Sequence, residues 1–420
     1  MLDIKRIREK PDEVREGISA KGGDGTLVER AIELDKRLRE LKTQTENLRA
    51  EQKKKSGDFG RLKKEGGDIA KLQNELNDLK AKLAVGDDDL TRTEKDLQAV
   101  LDDMPNVPHK DVPRGTSAEQ NVVVKSWGDI PKIANPKPHW EIGKAFGFEQ
   151  ERASRMSGAG FQLFLGPLAK LERALIQYFL HEHTEKNGYT EAYCPFLVRP
   201  HALYGTGQLP KFQVELFHAE RDDLYLIPTA ETPLTNIHAD EILAESDLPK
   251  RYCGYTPCFR REKGAAGADT RGMVRGHQFT KVEMMEFQHP AKSYEAHETL
   301  TRNAEKLLEG LELPYKRVLI CTGDSSAANA KQYDLEVYAV GVARWLEVSS
   351  CSNFEDFQAR RCKIRYKDSV TGKNEFVHTL NGSGLATSRI IPALLENNLQ
   401  PDGSVRLPKA LHAYYGKATL

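Results

Sequence analysis

From Leu27 to Met104 the chain contains no proline and a single aromatic residue, Phe59, while Lys, Glu, Asp, Leu and Gln dominate. That is the composition of long helices. Leu34, Leu38, Leu41 and Leu48 fall at alternating four- and three-residue steps once Thr45 takes the missing place, and Ile69, Leu72, Leu76, Leu79, Leu83, Leu90 and Leu97 repeat the pattern. Such stripes are coiled-coil seams, and two of them separated by a break predict an antiparallel helical hairpin. The spacing puts the break at Ser56–Gly60 and at Gly66-Gly67, where glycine permits a turn. Arms of roughly 35 to 40 residues extend on the order of 55 Å, too long for a small domain, so the hairpin must project into solvent.

The segment near the predicted tip carries Arg49, Lys53, Lys54, Lys55, Arg61, Lys63 and Lys64. A projecting cationic rod suits a phosphate backbone. The same residues also describe an ordinary solvated helix face. Net charge does not choose between these readings, because 62 basic residues balance 62 acidic ones and any basic surface is local. The amino terminus leads into charged helical sequence without an apolar signal core, and no stretch nears the roughly 20 apolar residues of a membrane span, so a cytoplasmic protein is expected.

The cysteines at 194, 253, 258, 321, 351 and 362 are scattered and read as reduced, buried thiols. Cys253 and Cys258 flank Gly254-Tyr255-Thr256-Pro257, but no second ligand pair has matching spacing for zinc. His181 and His183 diverge by about 200° on a helix and are expected at the surface.

Pro105, Pro108 and Pro113 mark a linker, dividing the chain into an N-terminal domain at 1–104 with its arm at about 27–104, a stretch at 105–141 that links to and begins the second domain, and the body of that domain at 142–420. A helix through Leu171–Leu180 precedes predicted strands at Leu224–Ile227, Tyr252–Glu262, His277–Phe287, Arg317–Cys321 and Cys362–Tyr366. Without a βαβ rhythm, this describes an α+β domain around a mostly antiparallel sheet flanked by helices.

Two of these strands carry chemistry. Phe259-Arg260-Arg261-Glu262 is followed, after the small-residue run Gly264–Asp269, by Arg271-Gly272 and His277-Gln278-Phe279-Thr280-Lys281-Val282-Glu283. Strand alternation puts Arg260 with Glu262 and groups Phe279, Lys281 and Glu283, giving one surface a phosphate-binding cation, an aromatic platform and carboxylates. This suits ATP held on two strands, with Gly264–Asp269 as a mobile hairpin loop. No Gly-Lys-Ser/Thr phosphate loop accompanies it.

Over nearly its whole length the chain resembles the seryl-tRNA synthetases of bacterial type, a family of class II aminoacyl-tRNA synthetases. The Phe259–Glu262 and Arg271–Glu283 segments resemble the second signature motif of that class, and Gly382-Ser383-Gly384-Leu385-Ala386-Thr387-Ser388-Arg389 the third. Helix 171–185 running into Tyr193-Cys194-Pro195 resembles the first, the dimer motif. Thr229-Ala230-Glu231, Glu347–Ser352 and Thr379–Ser383 resemble segments particular to the serine enzymes, and the helical hairpin resembles their tRNA-binding arm. The chain departs from the pattern at Arg261, where a small residue is common, and at Gly86 within the arm.

The resemblance implies a serine–tRNA ligase that makes seryl-adenylate from ATP and L-serine, then loads tRNA(Ser), with tRNA(Sec) as a further candidate. It implies Arg260 and Arg389 as catalytic residues, and Thr229, Ala230, Glu231, Glu283 and Ser383 as the serine pocket. The ATP site would comprise Arg260, Arg261, Glu262, Arg275, Gly276, Phe279, Glu347, Val348, Ser349, Ser350 and Arg389, with Mg2+ on Glu347 and Ser350. Phe279 would stack on adenine with Arg389 across the other face, and Glu262 would accept from the adenine amino group. Thr229 and Glu231 share parity if they lie on a strand, whereas Glu347 and Ser350, three apart, need a bulge to face together. A homodimer is implied, the arm of one subunit presenting tRNA to the other. Two readings compete: a synthetase-like ligase that loads a carrier protein, which would lack the basic hairpin, and a noncatalytic tRNA-binding paralogue, which would have lost the ATP-site residues.

Overall fold

The computed structural model describes residues 1–66, 69–262 and 272–420. The loop expected at Gly264–Asp269, with Arg271 and Gly67, lies outside them. The chain forms two compact units, Met1–Val107 and Pro108–Leu420.

In the first unit, α1 (Ile4–Glu9) and α2 (Pro11–Ala20) precede the long helices α3 (Leu27–Lys64) and α4 (Ala70–Asp103). Asp3 starts α1 by accepting from the Lys5 amide at 2.8 Å, and Pro11 opens α2, where its missing N–H costs nothing. Leu2, Ile7, Val14 and Ile18 bury themselves against Val28, Ala31, Leu97, Val100 and Leu101, so the base of the hairpin has its own small core.

Lys42 pairs with Glu94 at 3.0 Å, Arg49 with Asp87 at 2.7 Å and Lys55 with Glu75 at 3.0 Å. Falling numbers on α4 against rising ones on α3 make the helices antiparallel. Thr45 is buried in the seam, and a Cβ added to Gly86 would lie 3.1 Å from its Oγ1, so the small residue at 86 accommodates the threonine opposite. The α4 stripe continues through Thr93, Leu97 and Val100.

The expected break at Ser56–Gly60 is overturned: α3 runs unbroken to Lys64, and the turn comes at Glu65-Gly66, where Gly66 has φ +74°. Gly57 and Gly60 each weaken the helix by about 1 kcal/mol relative to alanine, less than is lost by abandoning helix that can still pair across the hairpin. A Cβ on either meets nothing within 4 Å. Gly57→Ala and Gly60→Ala are therefore expected to stabilise the arm by roughly 0.5–1 kcal/mol each, read as slower proteolytic cutting of the arm in the full chain.

The second unit is built on an eight-stranded sheet: β1 (Val122–Trp127), β2 (Thr190–Glu191), β3 (Lys250–Phe259), β4 (Gln278–Gln288), β5 (Tyr315–Leu319), β6 (Lys331–Ala339), β7 (Arg344–Asn353) and β8 (His378–Ala386). Its spatial order is β1-β5-β6-β7-β8-β4-β3-β2, antiparallel throughout except for β2 beside β3. Val282, Met284, Leu335, Val337 and Leu380 pack one face against α5 (Pro167–His181), α7 (Ser293–Gly310) and α8 (Thr387–Asn397). Met285 and Phe287, one residue out of phase, join a separate cluster with Ala230, Leu234 and Ile364, so β4 is covered on both faces at this end. Phe279, Lys281 and Glu283 share the parity of Met285 and therefore stand opposite the helical layer.

Among the predicted strands, Cys362–Tyr366 is corrected. Phe357–Cys362 is helical, Lys363 turns left-handed at φ +56°, and the strand is Arg365–Lys367. All six cysteines are buried free thiols, as expected. His181 is exposed, but His183 is fully buried beside Tyr189, and burial pushes its imidazole down to about 4. A π-turn over Glu182–Lys186 changes the helical phase and carries it inward. No helix among the described residues is long and apolar enough to cross a membrane.

Candidate active site

Two adjoining cavities open on the sheet face opposite the helical layer. The larger, about 530 Å³, is bordered by Thr229, Glu231, Glu283, Asn381 and Ser383; the smaller, about 160 Å³, by Arg275, Gly276, Phe279, Val348, Ser349 and Arg389. Arg260, Glu262, Lys281, Glu347, Ser350 and Ser383 border both. The sheet register explains the convergence. Ser383 on β8 stands directly opposite Glu283 on β4, and Lys281 lies opposite Thr256 on β3.

The bulge required between Glu347 and Ser350 is present. Leu335 pairs with Ser349 but Glu336 pairs with Glu347, so β7 gains one residue and Glu347 is rephased to the face of Ser350. Two other strand arguments fail. Thr229 lies in a loop and Glu231 opens the short helix α6 (Glu231–Thr235), its amide donating to Thr229 Oγ1 at 3.2 Å. β3 ends at Phe259, and Glu262 is left-handed at φ +48°, so a turn rather than alternation brings Arg260 and Glu262 to the same cavities. The Arg260 amide still donates to the His277 carbonyl at 3.0 Å, which keeps the two strand ends together.

Within the larger cavity, Lys281 Nζ lies 2.6 Å from Glu283 Oε2, and Gln358 Nε2 donates to Glu231 Oε1 at 2.7 Å. Thr379 Oγ1 fixes the amide by donating to Gln358 Oε1 at 2.8 Å. Burial, and then the nearby Glu283 charge, push Glu231 up to about 7. Two carboxylates against one lysine leave this pocket suited to a small cation. Lys281, Gln358 and Asn381 were not assigned roles from sequence. Lys281 was visible in the alternation with Phe279 and Glu283, whereas Gln358 enters from a distant helix with no local signal.

In the smaller cavity the Arg260 guanidinium lies 5.2 Å from the Phe279 ring centre, while its Nε donates to the Pro228 carbonyl at 3.2 Å. Arg275 Nη1 lies 3.7 Å from Glu262, and Arg389 Nη1 donates to the Glu347 carbonyl at 2.6 Å and lies 3.4 Å from its carboxylate. Three guanidinium groups bordering one cavity with an aromatic ring make a surface for an anionic ligand with a flat π-system.

Two sequence-expected residues border neither cavity. Arg261 donates from Nε to the Leu216 carbonyl at 2.8 Å and covers the Phe217 ring at 4.6 Å. Ala230 is fully buried against Leu234 and Phe287. The side chain of Arg261 braces the loop before the cavity, and that of Ala230 packs in the core.

Glu347 faces Asp334 and Glu336 across the β6–β7 pair. Burial, reinforced by the Glu347 charge, raises the Asp334 carboxyl well above the usual range, and burial also raises Glu336. Such a ladder with Ser350 beside it fits a hard divalent ion, for which oxygen donors are the proper ligands. Among the described residues no group of three or more His, Cys, Asp or Glu would hold a metal alone. A Mg2+ ion bound through phosphate oxygens needs only one or two oxygens from protein.

Residues 1–108 match the profile of the Seryl-tRNA synthetase N-terminal domain, and residues 212–398 that of the tRNA synthetase class II core domain (G, H, P, S and T). A Serine--tRNA ligase of Bdellovibrio bacteriovorus is 47% identical, covering 100% of this chain and 99% of the relative. One of Geobacter sulfurreducens is also 47% identical, covering 99% of each. Among solved structures, a seryl-tRNA synthetase from Pyrococcus horikoshii complexed with ATP superposes with TM-score 0.93 at 36% identity, covering 100% of this chain and 99% of that one.

Proposed function

The chain belongs to the seryl-tRNA synthetase family, and from that premise we propose how its own residues divide the work. It is a serine–tRNA ligase: it activates L-serine with ATP and charges tRNA. The observation that carries the assignment of parts is the pair of adjoining cavities, one acidic and one ringed by arginines, with Arg260 bordering both.

In the first step a serine carboxylate oxygen attacks the α-phosphorus of ATP, a P–O bond forms, and the bond to pyrophosphate breaks. Arg260 sits between the cavities and would hold the serine carboxylate and α-phosphate together, supplying fixed positive charge where negative charge grows. Phe279 takes one face of adenine and Arg389 the other, Glu262 accepts from the adenine amino group, and Arg275 with the Gly276 backbone meets the phosphates. Val348 and Ser349 form the wall beneath. Bound Mg2+, on Glu347 and Ser350, would neutralise charge on the departing phosphates. In the second step a terminal hydroxyl oxygen of tRNA attacks the seryl carbonyl carbon; the carbon–oxygen bond to AMP breaks, and AMP leaves with a phosphate oxygen taking the hydroxyl proton.

Glu231 and Glu283 receive the serine ammonium, while Thr229, Ser383 and the Lys281-paired Glu283 surround its hydroxyl. Alanine would strand these buried polar groups, a loss on the order of 10⁴ in specificity. Because Glu231 is pushed up to about 7, it becomes neutral as pH falls below that value and loses its attraction for the ammonium. The KM for serine is therefore expected to rise about tenfold per pH unit below it. Glu231→Gln is expected to raise the KM and flatten that profile; an unchanged profile would remove Glu231 from the ammonium site.

Residues 1–104 constitute the tRNA-binding domain, 105–141 the link and the start of the catalytic domain, which supplies β1, and 142–420 the rest of that domain. On the arm, Lys53, Lys54, Lys63 and Lys64 are exposed and suit phosphate contacts, whereas Arg49, Lys55 and Arg61 are engaged with Asp87, Glu75 and Asp58. tRNA(Ser) is the substrate, tRNA(Sec) a candidate, and a cytoplasmic homodimer with the arm of one subunit serving the other the working assembly. Charging assays on purified tRNAs, with serine, threonine and alanine, test the assignment. The carrier-protein and noncatalytic readings lose ground to the basic arm and the retained Arg260, Glu262, Phe279, Glu347 and Arg389.

A further inference from the structure

We propose that the buried His139–Glu396 couple is a positioning device for ATP, latching the backbone ahead of Arg275 to the far end of the helix that carries Arg389. The proposal rests on the reading that the smaller cavity takes ATP. Both residues have no exposed surface. Glu396, in the last turn of α8, accepts the His139 amide on Oε1 at 2.9 Å, with His139 Nδ1 at 2.7 Å from the same oxygen. Its Oε2 accepts the Gly341 and Val342 amides at 2.8 and 3.1 Å. The other side of the imidazole meets the Met273 amide, 3.1 Å from Nε2.

The proton can be placed from these contacts. A backbone amide can only donate, so Nε2 accepts and Nδ1 carries the hydrogen that goes to Glu396. The carboxylate thus receives four N–H groups, and His139 is a neutral relay between it and Met273. Gln162 Nε2 donates to the Met273 carbonyl at 2.8 Å, and the Met273 side chain is fully buried, so this residue is held on every side. One glycine is shaped to the couple: a Cβ on Gly272, at φ +87°, would lie 2.2 Å from His139 Nε2.

Packing alone does not call for this arrangement, since an apolar pair of similar volume fills a core at least as favourably. What the couple adds is one directed hydrogen bond to a backbone two residues before Arg275. Arg389 lies in the first turn of the helix that Glu396 ends. One element therefore references both arginines, and small displacements of such groups weaken charge stabilisation steeply.

Pyrophosphate exchange in the full chain, with ATP and serine varied separately, tests this. His139→Asn keeps a donor near the Nδ1 position but loses the acceptor for Met273; His139→Gln places an oxygen near Nε2 and restores it. The Asn variant is expected to raise the KM for ATP about tenfold and leave the KM for serine within about twofold, and the Gln variant to return the ATP value to within about threefold of the unaltered chain. Equal changes for both substrates, or indistinguishable Asn and Gln variants, would overturn the latch. Should thermal melting show the Asn variant unfolded, Gln162→Met, which frees the Met273 carbonyl at a half-buried position, is expected to raise the ATP KM about threefold with the serine KM unchanged. An unchanged ATP KM there also overturns it. Absence of serine-dependent exchange in the unaltered chain would instead remove the ATP reading on which the proposal stands.

Discussion

Arg260→Ala is expected to lower serine-dependent exchange of pyrophosphate into ATP by about 10³-fold, with Glu283→Ala falling nearly as far and mainly through serine binding. Arg260 borders both cavities, as does Lys281, but Lys281 is paired with Glu283, and removing one preorganised charge from a developing anion costs on the order of 10² to 10³ in rate. Glu283 lies opposite Ser383 and pairs with Lys281 at 2.6 Å, so its loss removes a proposed receiver of the ammonium and the ion-pair partner of a buried lysine. Arg260→Lys keeps the charge but cannot reach two anions with one planar fork, and should recover only part of the activity. Steady-state exchange with each substrate varied separates the cases. Near-normal exchange in both alanine variants would sink the site assignment.

Shortening the arm should separate the two half-reactions. Excising everything from Leu27 to Asp102 would strip Val28, Ala31, Leu97 and Val100 from the core at the base of the hairpin, so the cut belongs further out. Lys42 and Glu94 face each other at 3.0 Å, and joining those positions with a short glycine-containing turn removes 43–93 while keeping that core. The shortened chain is expected to retain exchange within about twofold and lose tRNA charging by at least about 10²-fold, because several phosphate contacts vanish together. Charging at undiminished rate would refute the role of the arm.

The two units were legible in the sequence to different degrees for a physical reason. A coiled coil is specified locally, by a stripe whose period is set by the helix itself, so α3, α4 and the place of Thr45 could be read directly. The end of α3 could not. Helix tolerance of Gly57 and Gly60 depends on the opposing helix, which a local reading of glycine ignores. In the second unit, β8 passes through Asn381-Gly382-Ser383-Gly384, small and polar residues of low strand propensity, and is a strand because β4 and β7 flank it. β6, by contrast, alternates regularly between buried and half-buried residues, a strand signal local to its own sequence.

The residue types and their family-like order pointed by themselves to a chemistry for the site: an arginine and an aromatic for a nucleotide, paired carboxylates for an ammonium, a serine and glutamate for a hard cation. Their convergence was a matter of tertiary structure alone. Glu231 faces Glu283 because a short helix starts where a strand was expected, Glu347 turns toward Ser350 because β7 takes one extra residue against β6, and Glu262 enters through a left-handed turn. Gln358 reaches Glu231 across 127 residues of chain, and His139 reaches Glu396 across 257. Parity and periodicity carry information only along one element, whereas a binding site is assembled from the ends, bulges and turns where those regularities stop.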